Sequence, residues 1–229
     1  MDAKAFYDRY WKGDHIKDKP FHDPLVEWTQ ENFDYHMRFF HAYTDGNLLD
    51  FGCGDGQFLH LASKYCAKAY GVDVSEHAIE KARDRFPELE FEIFQTEKGI
   101  PYANNYFDTV SAIEVLEHIL DIEAVLEELN RVLKPGGHLL ITTTELTRLK
   151  TVLIAARYLD DYFYPTSPHI RFFTRKNLAD ILCRKGFSVV EYKKNRTYFG
   201  FIPQGQMVVA RKEKNVKEDS CESIAGTAI

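Results

Sequence analysis

Cysteine is scarce in this 229-residue chain, and its pattern excludes more than it suggests. The four cysteines, Cys53, Cys66, Cys183 and Cys221, form no Cys-x-x-Cys pair and no Cys/His ladder. A zinc module is therefore excluded, and reduced thiols are the expectation for a cytoplasmic protein. No run approaches the roughly 20 apolar residues of a membrane span, and the first residues lack the apolar core of a signal peptide. The chain also lacks an excess of positive charge. Its 29 Lys and Arg against 35 Asp and Glu give a net charge of -6, which does not favour nucleic acid or an anionic membrane. No internal repeat is present. What remains is an ordinary globular composition, 45% hydrophobic and 28% charged, at a length that suits one α/β domain.

From Asn47 onward, strand and helix patterns alternate. Leu48–Phe51, Ala69–Val74, Leu89–Phe94, Thr109–Ile113 and His138–Thr143 read as strands, and Phe187–Tyr192 and Gln206–Ala210 extend the set to seven. Helical spacing runs from Phe58 to Tyr65, behind Ser75, behind Asp121 and behind Thr174, each of the last three a good N-cap. Pro135-Gly136-Gly137 is read as the stop after the third of these helices. This alternation predicts a Rossmann-like, mostly parallel seven-stranded sheet with helices on both faces. Residues 1–44 are read as an N-terminal helical cap, with a helix from about Glu27 to His41. Residues 45–212 form the α/β domain, 145–173 an insertion after the fifth strand, and 213–229 a disordered tail.

The segment that carries chemistry is Asp50-Phe51-Gly52-Cys53-Gly54-Asp55-Gly56, at the turn after the first strand. Ligands of open α/β folds bind at the carboxyl ends of the strands. A nicotinamide site reads G-x-G-x-x-G and seats a pyrophosphate on a helix N-terminus. Here the spacing is G-x-G-x-G, with a carboxylate two residues before the first glycine. That carboxylate is awkward beside a pyrophosphate and suits a ligand with an ammonium and no phosphate, such as S-adenosylmethionine. Asp73, at the end of the second strand, is placed to accept the hydroxyls of a ribose.

Together with Tyr106-Phe107-Asp108-Thr109-Val110, Glu114-Val115-Leu116-Glu117-His118 and Leu133-Lys134-Pro135-Gly136-Gly137, this loop resembles class I S-adenosylmethionine-dependent methyltransferases. The likeness is to the small-molecule branch that includes ubiquinone-biosynthesis O-methyltransferases. It implies S-adenosylmethionine as cofactor and a small-molecule acceptor, methylated at oxygen. It implies that Asp50, Gly52, Cys53, Gly54 and Gly56 meet the methionine end. Asp73 then meets the ribose and Val74 the adenine, while Gln95, Thr96 or Glu97 meets the adenine amine. Glu114 contributes a backbone contact near the sulfonium, and Tyr10-Trp11 resembles an aromatic pair that closes over the cofactor.

An oxygen nucleophile benefits from a base that titrates near working pH, and histidine is the natural one. The candidates are His118, after the fourth strand, and His169, at the end of the insertion. Glu114, Glu117 and His118 form an E-x-x-E-H cluster that could hold a cation or simply favour a helix dipole, and no metal is assigned. Two other readings remain open: a catalytically silent partner protein of this fold, and a nucleic-acid or protein methyltransferase. The second lacks an appended basic domain and the Asn/Asp-Pro-Pro-aromatic motif expected after the fourth strand.

Overall fold

The computed structural model describes residues 3–12, 29–95, 97–164, 167–198 and 202–214. Two helices precede the sheet, α1 (Ala3–Trp11) and α2 (Gln30–Phe40). The latter is capped by Thr29, which accepts from Asn32 N, and turns Phe33, Met37 and Phe40 inward. Then follow β1 (Asn47–Phe51), α3 (Gln57–Ala62), β2 (Lys68–Asp73), α4 (Glu76–Arg85), β3 (Glu90–Ile93), β4 (Phe107–Ile113), α5 (Ile122–Val132) and β5 (Leu133–Thr144). The insertion holds α6 (Arg148–Leu153), a π-helical turn (Ile154–Tyr158) and α7 (Leu159–Tyr162). The chain continues through α8 (Arg175–Arg184), β6 (Phe187–Tyr198) and β7 (Ile202–Lys212).

The seven strands lie in the order β3-β2-β1-β4-β5-β7-β6. The first five pair in parallel; β7 runs antiparallel between β5 and β6. Successive residues alternate between two cores, one on each face. Leu49, Val110, Leu139 and Ile141 pack with α5 and α8 residues such as Leu129 and Leu182. Leu48, Leu140 and Val209 pack on the other face with Phe33, Phe58 and Ile79. The predicted caps form as expected: Ser75 Oγ accepts from Ala78 N, Asp121 Oδ1 from Ala124 N, and Thr174 closes a reciprocal capping box with Asn177.

Two expectations are corrected. Pro135-Gly136-Gly137 is not a loop between helix and strand. The helix stops at Val132 because Leu133 is already extended and pairs with Phe107, so β5 begins there and runs through the glycines. Within the insertion, residues 148–162 are helical throughout, with the π turn at Ile154–Tyr158 between α6 and α7. Cys53 and Cys66 are free thiols, but Cys183 is disulfide-bonded, so the expectation of reduced thiols fails there. The predicted tail lies outside the described residues from 215 on, as does part of the N-terminal cap. Among the described residues no helix is long and apolar enough to cross a membrane.

Candidate active site

The first wall of the site is the turn between β1 and α3. Gly52, Gly54 and Gly56 all adopt positive φ, at 75°, 54° and 78°. Only glycine takes this conformation without strain. Gly52 N and Cys53 N both donate to Val72 O, which ties the loop to the end of β2. Asp73 completes the tie. Its carboxylate accepts from Gly54 N at 2.9 Å and from Ser75 N at 2.9 Å. A single buried side chain thus fixes the glycine loop and the start of α4.

Asp50 lies one strand over, also buried, and accepts from Ser111 Oγ at 2.7 Å. Burial and the neighbouring Asp73 push the Asp50 carboxyl up to about 7. Burial likewise raises Asp73, against the backbone donors that favour its charged form. Among the described residues neither carboxylate has an ion-pair partner. Two buried carboxylates facing one loop favour a ligand that brings positive charge without phosphate. S-adenosylmethionine, with its ammonium and sulfonium, fits that donor set.

Helix α1 forms the roof. The Trp11 ring lies so close to Gly54 that a Cβ there would sit 2.4 Å from it. Tyr10 and Trp11 meet edge to face, with ring centroids 6.3 Å apart. Asp8 anchors the helix, accepting from Ser75 Oγ at 2.6 Å and His77 N at 3.3 Å. The sequence reading missed Asp8, and it missed Tyr7, whose ring lies 6.1 Å from that of His118. Burial, followed by Asp73 and Glu117, raises the Tyr7 hydroxyl far above its ordinary pKa. An acid and aromatics on one short helix carry no signal until the helix is seen over the glycine loop.

Val74 is half-buried beside Asp73; Gln95 and Glu97 are exposed on the turn after β3, where Gln95 O accepts from Gly99 N. Thr96 lies outside the described residues. Beyond β4, Glu114 holds φ 53°, an unusual value for a residue with a side chain. Its N–H donates to both Thr142 O and Thr142 Oγ1 at 3.0 Å. Burial and the adjoining Glu117 push its carboxyl up to about 8. Glu117 is fully buried and accepts from Thr143 Oγ1 at 2.9 Å.

The two candidate histidines, 51 positions apart in sequence, come together. Their ring centroids are 4.8 Å apart. His118 Nδ1 lies 3.0 Å from Pro168 O. A carbonyl can only accept, so Nδ1 carries the hydrogen, and a neutral ring keeps its basic lone pair on Nε2. Main-chain bonds hold the loop in place, from Ile170 N and Arg171 N to Glu117 O, both at 3.0 Å. Ligand atoms of Glu117, His118 and His169 lie within 4.8 Å of one another, close enough to hold a metal ion. His169, rather than Glu114, is the third member of that group.

Comparison with known proteins agrees with this geometry. The family profile described as a methyltransferase domain matches residues 25–192. The human mitochondrial ubiquinone biosynthesis O-methyltransferase is 31% identical over 62% of this chain and 41% of its own length. Its counterpart from Alkalilimnicola ehrlichii is 27% identical over 79% of this chain and 74% of its own. This chain therefore spans less than half the length of the human relative. Among solved structures, a SAM-dependent methyltransferase of Methanosarcina mazei superposes with a TM-score of 0.61 at 25% identity, over 77% of this chain and 97% of its own. The chain belongs to the methyltransferase-domain family, with the Rossmann-like architecture of S-adenosylmethionine-dependent enzymes.

Proposed function

We propose that this chain transfers a methyl group from S-adenosylmethionine to an oxygen of a small-molecule acceptor. The observation that carries the reading is the pair of buried carboxylates, Asp50 and Asp73, bracketing the glycine loop, neither with an ion-pair partner among the described residues. In this reading Asp50 and Gly52–Gly56 take the methionine end. Asp73 takes the ribose and Val74 the adenine, with Gln95 or Glu97 at the adenine edge. The Glu114 backbone lies near the sulfonium, and Tyr10 and Trp11 close over the ligand. The names of the human and bacterial relatives support an oxygen acceptor and a small molecule. The acidic charge balance supports a protein without a nucleic-acid partner.

S-adenosylmethionine, when bound, supplies a methyl group already activated by the sulfonium. The chain's own task is then to align the acceptor, exclude water and take up a proton. His118 is the base: Pro168 O fixes its tautomer so that Nε2 receives the acceptor's hydroxyl proton. His169, packed against it, positions that ring and lines the acceptor side. The reading is tested by incubating the chain with methyl-labelled S-adenosylmethionine and pooled hydroxylated metabolites. Label in an extractable small molecule supports it. Label only in protein or nucleic acid contradicts it.

Cofactor binding should depend on pH through Asp50. Its folded carboxyl titrates near 7, above the unfolded value of about 3.9. A raised acid penalises the unliganded fold as pH climbs through that window, and a cationic ligand recovers the ionised form. Affinity for S-adenosylmethionine should fall about fivefold from pH 7 to pH 6, as the ionised fraction of a group with pKa near 7 does. Calorimetric titration across that range checks this, with Asp50→Asn expected to bind more weakly and without the slope.

The insertion 145–173 is proposed as a lid on the acceptor pocket. Tyr162, Phe163 and Phe172 form one aromatic cluster, with centroids 5.1–5.5 Å apart. Tyr162→Ala, Phe163→Ala and His169→Ala should each keep wild-type cofactor affinity and impair turnover of an identified acceptor by about tenfold or more. Wild-type kinetics in all three would place the acceptor elsewhere.

A further inference from the structure

At the end of β5, beneath the insertion, two buried side chains each leave an oxygen without a hydrogen-bond partner. Glu145 is 5% exposed. Its Oε1 accepts from Tyr192 Oη at 2.9 Å, and its Oε2 has no donor. Gln206 is fully buried. Its Nε2 donates to Thr144 O at 3.2 Å, and its Oε1 has no donor. Buried acceptors are almost always satisfied, so a cluster of them calls for a missing donor.

The surroundings define that donor. Lys150 of α6 reaches across and donates to Glu145 O at 3.0 Å and Gln204 O at 2.8 Å. The Arg175 guanidinium lies 4.1 Å from the centre of the Tyr192 ring. Lys150 already lies beside Glu145, and Arg175 stacks on its hydrogen-bond partner Tyr192, so a further cation is disfavoured and the absent donor is neutral. Its position relative to the reaction follows from register. Gln206 pairs with Thr143, whose hydroxyl donates to Glu117 beside His118. Neighbouring strands are about 5 Å apart. The vacant oxygens therefore lie one strand along the sheet from the group that contacts Glu117.

We propose that Glu145 and Gln206 form a specificity subsite that binds neutral hydroxyl or amide N–H donors of the acceptor, away from the oxygen that is methylated. This rests on the methyl-transfer reading. The oxygens are closed off beneath α6, so binding requires the insertion to lift. The π turn at Ile154–Tyr158 is a break in helical register at which it can flex. A site built to hydrogen-bond a donor rejects a ligand of the same shape without one, more strongly than an apolar pocket rejects a missing methylene.

The test is an NMR titration of isotopically labelled full-length protein with resorcinol and with its dimethyl ether, in saturating S-adenosylhomocysteine. The Gln206 side-chain amide is the reporter. Resorcinol is expected to shift that signal saturably, and the ether to bind about tenfold more weakly or worse. Gln206→Met and Glu145→Gln should each weaken resorcinol by a similar factor while S-adenosylhomocysteine affinity, which also reports folding, stays unchanged. Equal binding of resorcinol and ether overturns the subsite, as does a Gln206 signal that neither moves, the result if ordered water alone satisfies the oxygens. If S-adenosylhomocysteine fails to bind while resorcinol is still preferred, the methyl-transfer reading falls and the subsite stands.

Discussion

Asp73→Asn is expected to weaken S-adenosylmethionine binding by about 10- to 150-fold, the loss of roughly 1.5–3 kcal/mol that accompanies removal of a charged hydrogen-bond acceptor. The structure adds a second route to the same loss. Asp73 also accepts from Gly54 N and Ser75 N, so it shapes the glycine loop in addition to its proposed contact with the cofactor. An asparagine offers one oxygen to two backbone donors, and one N–H is left facing an amide nitrogen. Against this, the substitution removes a buried carboxylate whose ionisation burial already disfavours. The two effects on the fold oppose each other, so the melting temperature should move less than the affinity does. A calorimetric titration paired with a thermal melt separates them. Wild-type affinity in a folded Asp73→Asn protein would reduce Asp73 to a residue that orders the start of α4.

Gly56→Val should be strongly destabilising. Gly56 sits at φ 78°, and a Cβ there would lie 2.8 Å from Phe91 Cζ and 3.2 Å from Ala82 Cβ. A β-branched residue in the left-handed region costs on the order of 1–3 kcal/mol. Forcing extra methyls against a packed ring adds about 1–3 kcal/mol. The sum is a large share of a typical fold's 5–15 kcal/mol, and a drop of about 10 °C in melting temperature is expected. Gly136→Ala is the control. Its φ is similar, at 84°, but the nearest atom to an added Cβ is Lys214 Cε at 3.9 Å. That change carries backbone strain alone, about 1–2 kcal/mol. Equal melting temperatures for the two variants would show that packing behind Gly56 is not what demands glycine.

Much of this was legible in the residues because local and global preferences agree. Alternating apolar patterns and caps at Ser75, Asp121 and Thr174 placed the elements, and each cap forms the predicted bond. The glycine loop, Asp50 and Asp73 were legible because close backbone approach leaves a spaced-glycine signature. Other features were hidden for physical reasons. Pro135-Gly136-Gly137 looks like a loop, yet it is extended because Leu133 anchors it beside Phe107. Asp8 and Tyr7 belong to the site only through the docking of α1 on α4, a long-range contact with no local pattern. Gln206 reads as the polar start of the last strand. Only the antiparallel insertion of β7 between β5 and β6 buries it beside Thr143.

The histidines illustrate both sides. His118 and His169 were each visible as candidates, but nothing in the sequence required them to touch. The insertion returns to the sheet through two hydrogen bonds on the Glu117 carbonyl, and that return brings His169 against His118. In the mechanism proposed, the base is assembled from the end of β4 and the far end of the insertion, so closure of the proposed lid and acceptor activation would be linked.

The most direct test of the central claim is calorimetric titration of folded wild-type protein and Asp73→Asn with S-adenosylmethionine and S-adenosylhomocysteine. The account predicts one site per chain for both ligands in the wild type, and binding at least tenfold weaker in the variant. No heat from either ligand on folded wild-type protein would contradict it.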